Sequence, residues 1–307
     1  MFMDRINYGV RASAALALKH APELRGRWHI ARAVNKHFAP LSKSACTAWT
    51  RMRLGHEMLV DLRSESEFHA YYLGDFDTKA IRGALRLIRP DSTVLDVGAN
   101  IGFWSIPLAS HLKGQGCLHA FEPVPANFRR LNENVCRNAL EGTARLHESG
   151  LSDQNCSLQI SLREDFANGA ETGNAAIVTD AEDLRFTRAA IRVRRLDDIF
   201  DSLGADRVDF IKVDIEGHED RFLAGAESVI RRFRPIVYAE INAFYYQRQG
   251  RDAATVFGEW LRANSYESAH HKKGRWRLDT VRNCRPLDNA FFFPSEIGEE
   301  CIGRVNA

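Results

Sequence analysis

Several short segments of this sequence carry residue types that could do chemistry at one point. The first is Asp96-Val97-Gly98-Ala99-Asn100-Ile101-Gly102. Its glycines let the backbone approach a ligand closely, and a helix following them would offer unpaired amide hydrogens. The spacing is G-x-N-x-G rather than the G-x-G-x-x-G of dinucleotide sites, so a pyrophosphate is not the expected guest. Glu122 stands 26 residues after Asp96, a distance that suits paired hydrogen bonds to ribose hydroxyls. Asp153 could accept the exocyclic amine of an adenine. Asp96, Gly98, Asn100, Gly102, Glu122 and Asp153 together fit a cationic nucleoside without phosphates, and S-adenosylmethionine has that profile.

A further segment, Asp214-Ile215-Glu216-Gly217-His218-Glu219, and the later Glu240 supply groups for proton transfer. Displacement at a sulfonium carbon by a hydroxyl needs alignment and a group that takes the proton. Asp214 and His218 are the candidates for base and orienter, with Glu216 and Glu240 in support. His218 has the ordinary pKa nearest neutrality, and its acidic neighbours are expected to raise it. Asp214, Glu240 and Asn242 are hard oxygen ligands that could hold Mg²⁺. Their spacing is no ligand signature, so the metal is the lesser reading. His270-His271 reads as an exposed hairpin feature rather than a ligand pair.

These residues need elements to hold them. Asp77–Ile88 has the spacing of an amphipathic helix stopped by Pro90. Thr93–Val97 is a short apolar strand, and the helix after it either starts late or bends at Pro107. Cys117–Phe121 is a second strand, backed by a helix with Phe128, Leu131 and Val135 on its inner stripe. Ala144–Glu148, Val208–Val213 and Pro235–Ile241 continue the series, with a helix from Phe222 to Ile230 between the last two. Strands alternating with helices indicate an α/β fold with a parallel, doubly wound sheet, whose ligands gather at the carboxyl ends of the strands. Glu57–Leu62 and Glu67–Tyr72 look like a lead-in hairpin. Residues 163–190 are polar and read as an insertion or active-site loop, and the stretch from Tyr266 to Pro294 as an antiparallel edge pair.

The motifs resemble the FkbM family of S-adenosylmethionine-dependent methyltransferases. The likeness rests on Asp96–Gly102, on Glu122-Pro123-Val124-Pro125-Ala126-Asn127 with Leu131 and Asn134, and on Ile211–Glu219. Gly225-Ala226, Pro235, Glu240 and the lead-in Tyr72–Asp77 add to it, over roughly residues 57–295. Where the family often has Glu, this chain has Asp77. The resemblance implies a class I methyltransferase fold, a Rossmann-like seven-stranded sheet whose last two strands form a reversed edge hairpin. It also implies O-methylation of a small-molecule or glycan acceptor: a sugar, glycolipid, polysaccharide or secondary metabolite. The competing readings are a nucleic-acid or protein methyltransferase and a non-catalytic nucleotide-fold binding protein. Strand four runs into Asp214-Ile215-Glu216-Gly217 rather than the Asn/Asp-Pro-Pro-Tyr loop that clamps a planar amine, so a nucleic-acid partner is not expected.

Composition bounds the rest. The 307 residues are 45% hydrophobic and 27% charged, which excludes disorder and fibrous repeats. The net charge of +2 hides an asymmetry, because residues 1–56 hold ten Lys/Arg against Asp4 and Glu23. This arm shows helical spacing at Ala12, Leu16 and Ala17 and again at Ile30, Ala33 and Val34, with breaks at Pro22 and Pro40. The expected division is a basic helical segment, 1–56, and a methyltransferase domain, 57–307. The arm offers a peripheral contact for a lipid-linked or anionic substrate. Six cysteines without a paired spacing favour reduced thiols and a cytoplasmic setting, and no run is long enough for a membrane span.

Overall fold

A computed structural model describes residues 2–21, 26–38, 46–177, 185–279 and 287–307. Pro22, Pro40 and Cys284 lie outside the described residues. The arm forms two helices, α1 (Phe2–His20) and α2 (Arg27–His37), then a strand β1 (Thr47–Arg51). Strand β2 (Glu57–Asp61) pairs antiparallel with β1, Trp49 opposite Leu59. The expected partner segment, Glu67–Tyr72, is instead helix α3 (Glu65–Leu73). Its aromatics invite a strand reading, but Phe68, Tyr71 and Tyr72 stand three and four apart and are buried together on a helical face. Gly74, in the left-handed conformation at φ 65°, ends it.

Helix α4 (Thr78–Leu87) buries Ala80, Ile81, Ala84 and Leu87 and leads into β3 (Thr93–Val97). Next come α5 (Ser105–Leu112), β4 (Cys117–Phe121), α6 (Pro125–Arg137) and β5 (Ala144–His147). Pro107 falls in the first turn of α5, where a missing amide hydrogen costs nothing. A short β6 (Gly150–Leu151), β7 (Cys156–Leu162), helix α7 (Glu164–Ala167), β8 (Ala175–Ile177) and β9 (Thr187–Arg194) follow. After α8 (Leu196–Ile199) and a 3₁₀ turn, β10 (Phe210–Val213) returns to the centre. The remaining elements are α9 (Glu219–Gly225), α10 (Glu227–Phe233), β11 (Ile236–Asn242), α11 (Ala243–Arg248) and α12 (Ala253–Asn264), then β12 (Tyr266–Lys272), β13 (Arg275–Asp279), β14 (Leu287–Pro294) and α13 (Gly298–Asn306).

The main sheet has the order β13-β12-β14-β11-β10-β3-β4-β5. From β11 to β5 every pairing is parallel, and β3 lies against both β4 and β10, so the strand order reverses beside it. Among the described residues the sheet has eight strands rather than seven. β14 enters between β11 and β12 as the reversed pair requires, and β13 adds an outer edge strand, His271 opposite Trp276. Alternation sends Leu95 and Val97 into one core, with Phe222 and Phe257, and Val94 into the other, with Tyr72 and Phe291. Both faces are covered, as a parallel sheet demands.

The stretch 163–190 is not simply a loop. Its described part holds α7, β8 and the start of β9, and the two strands belong to a second sheet of order β6-β9-β7-β8, whose apolar face of Ile160, Ile191 and Val193 packs on Val124. Buried His270 also departs from expectation, whereas His271 is exposed. Cys46, Cys117, Cys136, Cys156 and Cys301 are free thiols.

Candidate active site

The loop after β3 is fixed from below. Gly98 and Ala99 each donate an amide hydrogen to the Phe121 carbonyl at 3.0 Å, which ties the ends of β3 and β4 together. At Gly98, φ is +78° and a Cβ would stand 2.0 Å from the Asp214 carbonyl oxygen, so only glycine fits. Asn100 is left-handed at φ 50° and donates its amide hydrogen to Glu122 Oε2 at 2.8 Å. Glu122 Oε1 accepts from the Val124 amide at 2.9 Å and from Asn127 Nδ2 at 3.4 Å. Burial raises the Glu122 carboxyl to about 7 against these stabilising donors.

Asp96 and Gly102 lie beneath this loop. Asp96 is fully buried and accepts from Ser105 Oγ at 2.6 Å. A Cβ at Gly102 would meet Leu131 Cδ1 at 2.9 Å, so this glycine serves the packing of the loop on α6. Lys212, opposite Asp96 on β10, completes the foundation. Its Nζ donates to the Gly98 carbonyl at 2.8 Å and lies 3.4 Å from Asp96 Oδ1 and 3.5 Å from Asp214 Oδ2. Burial alone would lower its pKa, but Asp96, Asp214 and Glu240 outweigh that and raise it. Sequence reasoning passed over Lys212. The signal was a lysine inside an apolar strand, since a buried ammonium group requires partners.

The turn after β10 is organised by Glu219, whose Oε1 accepts the Ile215 and Gly217 amides, both at 3.0 Å. Its Oε2 accepts from the Tyr246 hydroxyl at 3.0 Å. Glu216 is held at φ 55°, a conformation that costs about 1–3 kcal/mol in a residue with a side chain. Burial, then the nearby Asp214 and Glu219, push the Glu216 carboxyl up to about 8. Asp214, then burial, hold Glu240 well above the usual carboxylate range.

His218 is corrected in its electrostatics. Burial lowers its pKa and outweighs Asp220 and Asp153, so the imidazole is neutral at neutral pH. Its Nε2 lies 2.8 Å from Ser152 Oγ, and that hydroxyl donates to Asp153 Oδ1 at 3.0 Å. Asp153 Oδ2 is engaged by Arg221 Nη1 at 3.0 Å. Burial would raise the Asp153 carboxyl, but Arg221 and Ser152 together hold it below its ordinary value. Gly225 permits this contact between α9 and the segment after β6, because a Cβ there would meet the Ser152 carbonyl oxygen at 1.9 Å.

Gly98, Asn100, Glu122, Asp214, Glu216 and His218 all line one cleft at the carboxyl ends of β3, β4 and β10. The small sheet forms its opposite wall through Ile160, Ile177, Ile191 and Val193. Asp153 lines the adjoining depression with Ser152, Glu216 and His218. Asn242 uses its side-chain oxygen to cap α11, accepting the Phe244 amide at 3.2 Å. Among the described residues no three His, Cys, Asp or Glu side chains gather in a way that could hold a metal ion.

The cleft carries carboxyl groups from Glu122, Asp214 and Glu216, and among the described residues no Lys or Arg lines it. With Glu216 pushed up to about 8 and Glu122 to about 7, the negative character of the wall comes chiefly from Asp214 and partly ionised Glu122. Beside the apolar wall, that character suits a cationic ligand with hydroxyls and an apolar ring better than a phosphate. The fit to an adenosyl sulfonium is therefore good on the chemistry of the wall alone.

The chain is similar in sequence to several known proteins. The antimetabolite synthetase AmbE of Pseudomonas aeruginosa is 29% identical over 213 residues, 59% of this chain but 10% of that protein. The 31-O-demethyl-FK506 methyltransferase FkbM of Streptomyces tacrolimicus is 31% identical over 179 residues, half of this chain and 67% of that one. The hexuronic acid methyltransferase AglP of Haloferax volcanii is 27% identical over 165 residues, 53% of this chain and 61% of that one. The chain thus spans between a tenth and two thirds of the relatives it matches. The sequence model described as the Methyltransferase FkbM domain covers residues 96–271, from the acid of the glycine loop to the edge hairpin, and the chain belongs to that family.

Proposed function

We propose that the protein is an S-adenosylmethionine-dependent O-methyltransferase acting on a hydroxyl of a sugar, glycolipid, polysaccharide or secondary metabolite. The observation that carries this reading is the cleft itself: three carboxyl groups, no Lys or Arg among the described residues, and an apolar wall at the point where the strand order reverses. Glu122 would hold the ribose hydroxyls, and Val124, Leu151 and Ile191 would enclose the adenine. When bound, the cofactor supplies a methyl group on a positively charged sulfur. Asp214, anchored by Lys212, places negative potential beside that charge. The neutral imidazole of His218, oriented by Ser152, is suited to take the acceptor's proton. Protonated Glu216 and Glu240 would present hydrogen-bond donors to an acceptor oxygen rather than further negative charge.

The named activities of the FK506 methyltransferase and the hexuronic acid enzyme support an oxygen acceptor on a polyhydroxylated molecule. Glu122→Ala is expected to weaken S-adenosylmethionine binding at least tenfold in calorimetry while the chain stays folded. Unchanged affinity would remove Glu122 from the cofactor site. In a labelled-methyl assay against glycan and polyketide extracts, His218→Ala and Asp214→Asn should lower turnover more than cofactor affinity. Near-normal turnover in both would remove this assignment of base and orienter. A chelator arm of the same assay tests whether Mg²⁺ takes part.

A further inference from the structure

We propose that the face formed by α1, the β1–β2 hairpin and α4 is a docking surface for an anionic phospholipid bilayer. The proposal is independent of the reaction assigned above. A groove runs between α1 and the hairpin and reaches α4 at Arg82. Three large side chains with apolar surface stand out along it: Tyr8 is 58% exposed, Leu16 62% and Trp49 41%. Lys19, Arg51 and Arg82 border them, and among the described residues no acid lines the groove. On α4 the exposed Lys79, Arg82 and Arg86 are three and four residues apart, so they extend the positive charge along one helix face.

Apolar protrusions ringed by Lys and Arg are what an interfacial surface needs. The rings and the leucine enter the headgroup boundary while the cations meet anionic lipid. The lysine also shows how the groove is kept. Lys19 Nζ donates to Thr50 Oγ1 and, at 3.1 Å, to the Arg51 carbonyl, which fixes α1 against the strand. No helix among the described residues is long and apolar enough to cross a membrane, so attachment would be at the surface. A single-stranded nucleic acid would use the same charges but needs open aromatic faces for stacking. The Arg137 guanidinium lies over the Trp49 ring, 5.2 Å from its centroid, and covers one face. The remaining apolar relief is aliphatic in part, which favours lipid.

The test is co-sedimentation of the full chain with vesicles of phosphatidylcholine alone and of phosphatidylcholine with phosphatidylglycerol. The chain should sediment with the anionic vesicles, stay in solution with the neutral ones, and be released as salt is raised. Arg51→Glu combined with Arg82→Glu should lower the partition coefficient by more than about tenfold, as about 1 kcal/mol per basic residue near the surface implies. Leu16→Ser should lower it as well. All three positions are exposed, and melting curves would confirm that the variants fold. The wild-type result stands without them. Failure to bind anionic vesicles, equal binding to neutral ones, or binding unchanged in either variant would overturn the proposal. So would salt-dependent binding of single-stranded RNA by a chain that ignores vesicles.

Discussion

His218 shows how far a single residue's surroundings can reverse the expectation drawn from its neighbours in sequence. Asp220 and Asp153 do favour the imidazolium, but burial disfavours it more, and the folded ring is neutral at neutral pH. A base with that property leaves a specific trace. If His218 takes the proton, turnover should be flat above about pH 7 and fall only below the ordinary imidazole value of about 6.5. Glu216 makes a different prediction, because its carboxyl is pushed up to about 8 and would ionise into the active form across that value. A pH–rate profile of the wild-type enzyme separates the two. The expected result is a limb below 6.5 that is lost in His218→Ala, with turnover reduced by roughly 10²–10⁴. A limb near 8 that disappears in Glu216→Gln would move the role to Glu216. The acids of the site were legible in the sequence because carboxyl groups at strand ends have few structural alternatives. The charge state of the histidine was not, since it depends on how deeply the turn is packed.

Helix α3 shows the same limit among elements, where the partner chosen in three dimensions decides the conformation. Glu67, on its inner face, is 2% exposed. Its Oε2 accepts the Asp61 amide at 2.6 Å and its Oε1 the Thr172 hydroxyl at 2.5 Å, so one side chain joins α3, the end of β2 and the segment before β8. Burial raises its carboxyl to about 7. The unfolded chain ionises near 4.5, so the cost to the folded state is absent below that pH, grows up to about 7 and is constant above it. Glu67→Gln keeps both contacts, because the amide oxygen can accept from Asp61 and the amide nitrogen can donate to Thr172. The variant should therefore gain up to about 3 kcal/mol over wild type at pH 8 and little at pH 4. Denaturant melts at the two values check it, and a gain equal at both would show that ionisation is not the cause. Strands β3 and β4 were readable residue by residue, because an apolar run closed by turn residues has one consistent reading. The second sheet was harder. Ile191 and Val193 alternate with Arg192 and Arg194 along β9, a period-two signal set in a polar stretch, and its meaning depends on Val124 lying opposite.

At the scale of the molecule, the asymmetry of charge does not coincide with a boundary in packing. Residues 1–56 lie outside the region that resembles the family, yet Ala15, Leu18 and Ala31 belong to the same core as Tyr72, Val94 and Phe291. The β1–β2 hairpin crosses residue 56, with Arg51 paired to Glu57 and Thr50 to Met58. Asn35 donates to the Leu62 carbonyl at 2.8 Å, and α3 packs against both α1 and α2. Removing residues 1–56 would leave β2 as an unpaired edge and expose Tyr71 and Tyr72, which are 5% and 0% exposed in the full chain. An open strand beside bare aromatic surface is a template for association. The truncated chain is therefore expected to melt at a lower temperature, bind a hydrophobic dye and aggregate, so the arm cannot be cut away to isolate catalysis. A chain of residues 57–307 that stays monomeric and melts with the full protein would show that the arm is a true appendage. Charge reversal at exposed Arg51, on the arm, and Arg82, on α4 beside it, changes their shared surface without opening that core, and it is the change that can separate what the arm touches from what it holds together.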